Sequence, residues 1–432
     1  MEYMSQKNLK RWYPLKPLQV QLDLVNDDVR FKVVPAGRRS GKTERAKRYI
    51  VKQALKNADE SYFIAAPTSP QVKKIYWNDI KALVPQGALA SKPSETELIV
   101  KLINGSTISL IGLDRPERIE GAFWSGGIID EIADIKPTAW EAHIAPALDT
   151  FNPQRPDYQA WCWLIGVPDG LNHYYDMFIY ASTSNDPDWK AYQWTSAEIL
   201  PAKTIEAAKR HMSPKQYKQE YEASFETATG RVYEDYSKEN HTDKTYDENR
   251  HIAWTHDFNY TPLSSAIIQE YGEESYVVDE IILESAVARN AALEFVTRYK
   301  DSKIKQVHLY GDASGRAGEK HAQDSNWTDI KQVLRDNGWK VKDRVPKANG
   351  AIVDGQNSLR ARIMNAKNER RLFVNPKCKY TDKGLSTTTL KNGSAFQEAD
   401  SDYQHITTAL RYYTNVRFPN KTYTHIKGGF VR

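Results

Sequence analysis

"AGRRSGKTERAKRYI", residues 36–50, is the stretch on which the fold turns. It nearly repeats G-x-x-x-x-G-K-[ST], the pattern of a phosphate-binding loop, with Ala36 in the first position. Before it, "RFKVVPAG" (30–37) sets Phe31, Val33 and Val34 in a short strand; after it, Ala46, Ile50, Ala54 and Leu55 recur at helical spacing. A strand that turns through such a loop into a helix aims backbone N–H groups and a helix N-terminus at phosphates. In this reading Gly41 lets the backbone approach the phosphates, Lys42 reaches the terminal ones and Thr43 gives a hydroxyl to Mg²⁺. Ala36, Gly37, Arg38, Arg39 and Ser40 complete the cradle for ATP, and Arg39 could touch the γ-phosphate. Ala36 is acceptable if its φ stays negative, with Gly37 free to make the tight bend.

Further strands follow. "SYFIAAPT" (61–68) reads as a buried strand ending in a loop, and "ETELIVKLINGSTISLIGLD" (95–114) as a hairpin turning at Asn104-Gly105. "FWSGGIIDE" (123–131) is an apolar run that ends in two carboxylates, and "WCWLIGVPDG" (161–170) is another strand. Strands alternating with helices imply an α/β fold with a mainly parallel sheet. Hydrolysis of a triphosphate needs an acid for the metal and an acid for the attacking water. Asp130 fits the first role and Glu131 the second. A charge-stabilising arginine is also required, and the exposed, Pro-containing "GLDRPERIEG" (112–121) offers Arg115 and Arg118.

Composition is ordinary for a soluble globular protein. The 432 residues are 40% hydrophobic and 27% charged, enough for two or three domains with their own cores. No stretch approaches the eighteen or so consecutive apolar residues of a membrane span. "MEYMSQKNLKRWYP" (1–14) has no apolar signal core, so a cytoplasmic protein is expected. Cys162 and Cys378 have no metal-ligand spacing, in keeping with a reducing compartment. The net charge of +5 permits a polyanionic partner without demanding one. From Tyr403 onward there is no acidic residue, while Arg411, Arg417, Lys421, Lys427 and Arg432 all occur.

Character changes after residue 200. "MSPKQYKQEYEASFE" (212–226) reads as a polar helix with Ser213 as cap and Pro214 in the first turn, and the charged 227–250 as loop. "HIAWTHDF" (251–258), "SSAIIQEYG" (264–272) and "SYVVDEIIL" (275–283) are strands, the last two joined by a short Gly-Glu-Glu turn. "VHLYGDASG" (307–315) is a strand ending in an acid, and "HITTALRYY" (405–413) is a helix. Asp257 and Asp312 thus end strands, and Asp402 precedes a helix that carries His405. Three carboxylates in one cleft repel unless divalent metals bridge them. Two-metal phosphodiester cleavage uses such a set, with metals about 3.5–4 Å apart.

In this order the motifs resemble those of the large terminase subunit, the DNA-packaging motor and nuclease of tailed bacteriophages and prophages. The resemblance runs through "GRRSGKT" (37–43), "AAPT" (65–68), "GLDRPERIEG" to "IIDE" (112–131), "IGVPDG" (165–170) and "SPKQYKQEYEASF" (213–225). It continues through "HDFNYTP" (256–262), "GDASG" (311–315), "NPKC" (375–378) and "HITTALRYY". It implies a RecA-like P-loop ATPase domain, a ribonuclease H-like nuclease domain and a glutamine that reads adenine, here Gln19 or Gln21. "IGVPDG" matches the segment that couples hydrolysis to DNA movement. The sequence departs from the family at Ala36, at Val167 where a hydroxyl residue is usual, and at Thr408 where an aspartate often stands. The third nuclease ligand then falls to Asp402 or His405.

The expected layout is an ATPase domain over 1–200, a helical linker over 201–245, a nuclease domain over 246–415 and a basic tail over 416–432. The expected cofactors are ATP and Mg²⁺, with Mn²⁺ as an alternative at the nuclease site. Double-stranded DNA, the procapsid portal, the small terminase subunit and further copies of the chain in a ring are the expected partners, in the host bacterial cytoplasm. A free monomer in solution is compatible with this. Two other readings share some of these motifs. An ATP-dependent helicase or repair nuclease would separate strands on a forked duplex, and a DNA-binding assembly protein with an inactive nuclease fold would not cut a plasmid.

Overall fold

The computed structural model describes residues 11–149, 158–226, 230–258, 262–284, 286–316, 326–391, 394 and 396–419. Residues 259–261 of "HDFNYTP" and 420–432 of the basic tail, with Lys421, Lys427 and Arg432, lie outside them. The chain forms two compact units, one holding residues up to Ile205 with Lys218–Thr227, the other Glu206–Tyr217 with the chain from Ala228. The segment between the sheets is therefore shared, and the change of unit falls inside the helix Pro214–Tyr221. Ser213 caps that helix, its Oγ accepting from the Gln216 N–H at 3.3 Å.

In the first unit seven strands form one sheet: β1 (Phe31–Pro35), β2 (Ser61–Ala66), β3 (Ile99–Lys101), β4 (Thr107–Gly112), β5 (Gly126–Asp130), β6 (Trp161–Gly166) and β7 (Trp189–Ala191). Their order is β3-β4-β2-β5-β6-β1-β7, with only the β3–β4 hairpin antiparallel. β1 and β5 are buried along their whole length, as strands covered on both faces must be. β4, next to the edge, alternates half-buried and buried residues. The hairpin turns at Gly105 (φ +84°), and the Asn104 amide donates at 2.9 Å to the carbonyls of Ala54 and Asn57. The adjacent glycines of β5 make room for large neighbours: a Cβ at Gly126 would lie 2.2 Å from the Trp161 ring, and one at Gly127 2.1 Å from Phe63. Helix Lys42–Lys56 packs on one face through Ala46, Ile50 and Ala54.

In the second unit six strands form the other sheet: β8 (Ile252–Asp257), β9 (Leu263–Tyr271), β10 (Glu274–Leu283), β11 (Gln306–Gly311), β12 (Lys340–Asp343) and β13 (Leu372–Val374). The order is β12-β11-β8-β9-β10-β13. β8, β9 and β10 form an antiparallel meander, while β11 runs parallel to both β8 and β12. Alternation along β8 divides its residues between two cores. Ile252 and Trp254 face helices Ala288–Arg298 and Asn326–Asp336, and Ala253 faces helices Ile352–Ile363 and Gln404–Arg417. Both cysteines are free and buried, and among the described residues no helix is long and apolar enough to cross a membrane.

Candidate functional site

β1 ends beside β6, where Pro35 pairs with Gly166 and the Ala36 N–H bonds the Gly166 carbonyl at 3.0 Å. Ala36 prolongs the strand in a bridge with Trp194 and is fully buried, so the missing glycine costs nothing here. The tight bend expected at Gly37 lies further on: the left-handed residues are Arg39 (φ +60°) and Gly41 (φ +89°). Gly37 serves close packing instead. A Cβ there would lie 2.4 Å from Ser196 Oγ and 2.6 Å from the Tyr221 carbonyl. Gly41 caps helix Lys42–Lys56, whose first residue, Lys42, is buried. The Ser40 carbonyl accepts from Gln21 Nε2 (2.9 Å) and Trp194 Nε1 (3.1 Å), which clamps the loop. The Ser40 hydroxyl is buried and has no hydrogen-bond partner among the described residues.

The acid strand lies one strand away, since β6 separates β5 from β1 and Asp130 pairs with Ile165. Asp130 is 1% exposed and each of its oxygens is engaged. Oδ2 accepts from Thr43 Oγ1 at 3.1 Å and from the Tyr76 hydroxyl at 2.7 Å; Oδ1 accepts from the Glu131 N–H at 3.0 Å. A hydroxyl and a carboxylate side by side at a helix N-terminus are oxygen donors suited to Mg²⁺ and a phosphate chain. Glu131 has φ +54°, costly for a residue with a Cβ and typical of functional sites. Burial raises its carboxyl above the ordinary range; Lys42 opposes the shift, Asp130 and Asp134 add to it, and Arg38 opposes it. A carboxylate of raised basicity is what polarising a water requires. Burial also keeps the Tyr76 phenol far above its usual value, so it remains a donor.

Other expected residues are placed as follows. Arg38 pairs with Glu220 at 2.9 Å, and Arg39 stands exposed on the loop. Arg115 and Arg118 are both exposed, and Arg118 Nη1 donates to Ser69 Oγ at 3.3 Å. Gln19 is exposed and bonds Asp23 at 2.7 Å. Gln21 is buried, with its amide divided between Ser40 and Arg45. Val167, partly buried, begins the turn that leads to helix His173–Thr183. Tyr76 belongs to no motif. Its spacing from Val72 and Ile80 reads as core packing, and only the fold brings its hydroxyl to Asp130.

In the second unit Gly311 pairs with His256, so Asp312 and Asp257 follow neighbouring strand ends. Gly311 is required there: its φ is +147°, and a Cβ would meet the His256 carbonyl at 2.6 Å. Asp312 Oδ1 accepts from Ser314 N–H and Asn349 Nδ2, both at 2.7 Å, and Oδ2 from Ser314 Oγ at 2.5 Å. Asp257 Oδ2 lies 3.0 Å from His405 Nδ1, and this bond raises the imidazole above its usual value despite burial. Tyr412, about two helical turns beyond His405, is pushed up first by burial and then by the charges of Asp312 and Asp257.

Two strand-end carboxylates suit a hard divalent cation. Asp402, however, sits in an exposed turn, and among the described residues no three His, Cys, Asp or Glu side chains meet as a metal cage. Thr408 is turned inward, where its hydroxyl accepts from Gln404 Nε2 (2.6 Å) and Arg411 Nη2 (3.1 Å). Sequence reading missed that network, which gathers on the buried Glu398.

Residues 34–236 match the family model for the terminase large subunit, T4likevirus-type, N-terminal. Among curated proteins, the terminase large subunit of Thermus phage G20c is 23% identical over 251 residues, 50% of either chain. That of Escherichia phage T5 is 26% identical over 172 residues, 39% of this chain and 38% of the relative. The match thus spans at most about half the length of these curated relatives. Among solved structures, the large terminase of a thermophilic bacteriophage aligns with TM-score 0.59 at 16% identity, over 93% of this chain and 99% of that one. The same phage protein in complex with ATP-gamma-S aligns with TM-score 0.52 at 17% identity, over 96% and 99%. The resemblance to large terminase subunits and the two-part α/β fold are both borne out.

Proposed function

We propose that this chain, similar to large terminase subunits in sequence over its N-terminal half and in fold over nearly its full length, is the ATP-driven motor and nuclease of a viral DNA-packaging machine. The observation that carries the reading is the Thr43 hydroxyl on the Asp130 carboxylate, beside a loop whose Lys42 is already buried at a helix N-terminus.

Residues 36–43 would cradle the phosphates of ATP, with Lys42 on the terminal ones and Thr43 and Asp130 holding Mg²⁺. The cation supplies charge neutralisation between the phosphates. Glu131 orients and polarises the attacking water, helped by its raised basicity. Arg39 and an arginine from a neighbouring copy, Arg118 or Arg115, stabilise charge on the transferred group. Gln19 or Gln21 reads the base, and Gln21 would have to release its present bonds to do so.

Asp257 and Asp312, with Asp402 or His405 as a third donor, would hold Mg²⁺ or Mn²⁺ for cutting double-stranded DNA at the start and end of packaging. DNA contacts run mainly through Lys and Arg to phosphates, since a motor must ignore sequence, and binding weakens steeply with salt. The portal of the procapsid, a small subunit and a ring of copies are the proposed partners, in the host cytoplasm. The test is packaging: with portal-bearing procapsids and ATP, DNA becomes protected from added DNase. Glu131→Gln should abolish protection; protection at the parent level by that variant would refute the motor.

A further inference from the structure

We propose that Tyr76 is a positioning residue of the nucleotide site, its phenol fixing the Asp130 carboxylate against the Thr43 hydroxyl so that metal and nucleotide meet a ready-made pair of donors. This rests on the ATP-binding reading above.

The geometry is specific. Tyr76 is fully buried and its hydroxyl donates at 2.7 Å to Oδ2 of Asp130, the same oxygen that accepts from Thr43 at 3.1 Å. The Glu131 N–H fixes the other oxygen at 3.0 Å. A carboxylate held from both ends cannot rotate, and such outer partners commonly orient metal-binding carboxylates. Without the phenol, Oδ2 would keep, among the described residues, only the longer bond from Thr43, the very hydroxyl a bound metal would draw away.

The main chain around Tyr76 is also unusual. The stretch 69–83 is a helix whose middle, Lys73–Trp77, has π-helical spacing, a distortion common at functional sites. Both sides of this turn are anchored. Lys47, one turn beyond Thr43 on the loop's own helix, lies 5.1 Å from the Tyr76 ring centre and pairs with Asp79 at 2.6 Å. Trp77 Nε1 donates to Glu95 at 2.7 Å. At the start of the same stretch Ser69 Oγ accepts from Arg118. One short element therefore carries both the phenol on Asp130 and the hydroxyl on a candidate charge-stabilising arginine.

The test is Tyr76→Phe, which keeps the ring and removes only the hydroxyl. ADP affinity is measured in EDTA and again with Mn²⁺, and the Mn²⁺ taken up only when ADP is added is followed by electron paramagnetic resonance, which sets aside any Mn²⁺ held at Asp257 and Asp312. The variant should unfold within a few degrees of the parent and bind ADP in EDTA about as tightly, yet hold Mn²⁺ about 10–100-fold more weakly. Parent-like Mn²⁺ binding, or an equal loss of ADP affinity in EDTA and Mn²⁺, would overturn the role. If the parent itself bound no nucleotide under either condition, the functional reading would fall and this role with it.

Discussion

Gly311 of β11 stands directly opposite His256 of β8, and this pairing brings Asp312 and Asp257 out at adjacent strand ends. The Asp312 carboxylate is then steadied by Asn349, whose amide donates to it at 2.7 Å while its own oxygen accepts from the Ala313 N–H at 2.9 Å. Replacing such an outer partner typically costs about 10–100-fold in metal affinity or activity. Asn349→Ala should lower Mn²⁺-dependent plasmid cutting by that factor and leave ATP turnover unchanged. Titrating Mn²⁺ in both assays checks it.

At Gly37 the prediction concerns stability. Gly37→Ala places a methyl group 2.4 Å from Ser196 Oγ and 2.6 Å from two backbone atoms, which must move. Overpacking of this kind costs about 1–3 kcal/mol. Urea unfolding should show that loss, whereas Ala36→Gly, at a site with no conformational demand for glycine, should cost less.

Glu398 and Arg411 pair at 3.2 Å with side chains 1% and 10% exposed. Removing one member of a buried pair leaves a charge without its partner, at about 3–5 kcal/mol. Arg411→Met should therefore destabilise the second unit strongly, and adding Glu398→Gln should recover part of the loss. A double-mutant cycle in urea measures the coupling.

Lys32 carries a pH signature. Burial pushes its amine from 10.5 down to about 8, against the pull of Asp27 and Asp28. Between those values the unfolded chain binds more protons than the folded one, so stability rises with pH across the window. The cost of burying the charge is fully present below about pH 8 and is relieved as pH climbs toward 10.5. The parent should therefore gain stability relative to Lys32→Met between pH 7.5 and 10, read as paired urea midpoints.

Much of this was legible in the sequence because local signals and tertiary demands coincide. The Gly41 helix start, the Asn104-Gly105 turn and the apolar run into Asp130 each have one comfortable backbone solution. Strand order was less legible, since nothing local tells β5 to leave room for β6 beside β1. Tyr76 and Glu398 were hidden for a related reason. A tyrosine at helical spacing looks like core, and a lone glutamate in a polar stretch looks like surface, until distant segments bring them partners. Gly37 is needed for close packing rather than for a bend, and crowding by Ser196 and Tyr221 is invisible along the chain.

The central claim is that the two halves carry separate chemistries, and paired variants assayed for both activities test it most directly. Lys42→Ala should lower Mg²⁺-dependent ATP turnover by about 10²–10³-fold, the usual cost of a lost charge-stabilising donor, with plasmid cutting unchanged. Asp312→Asn should do the reverse. A folded variant of either kind that loses both activities together would contradict the account.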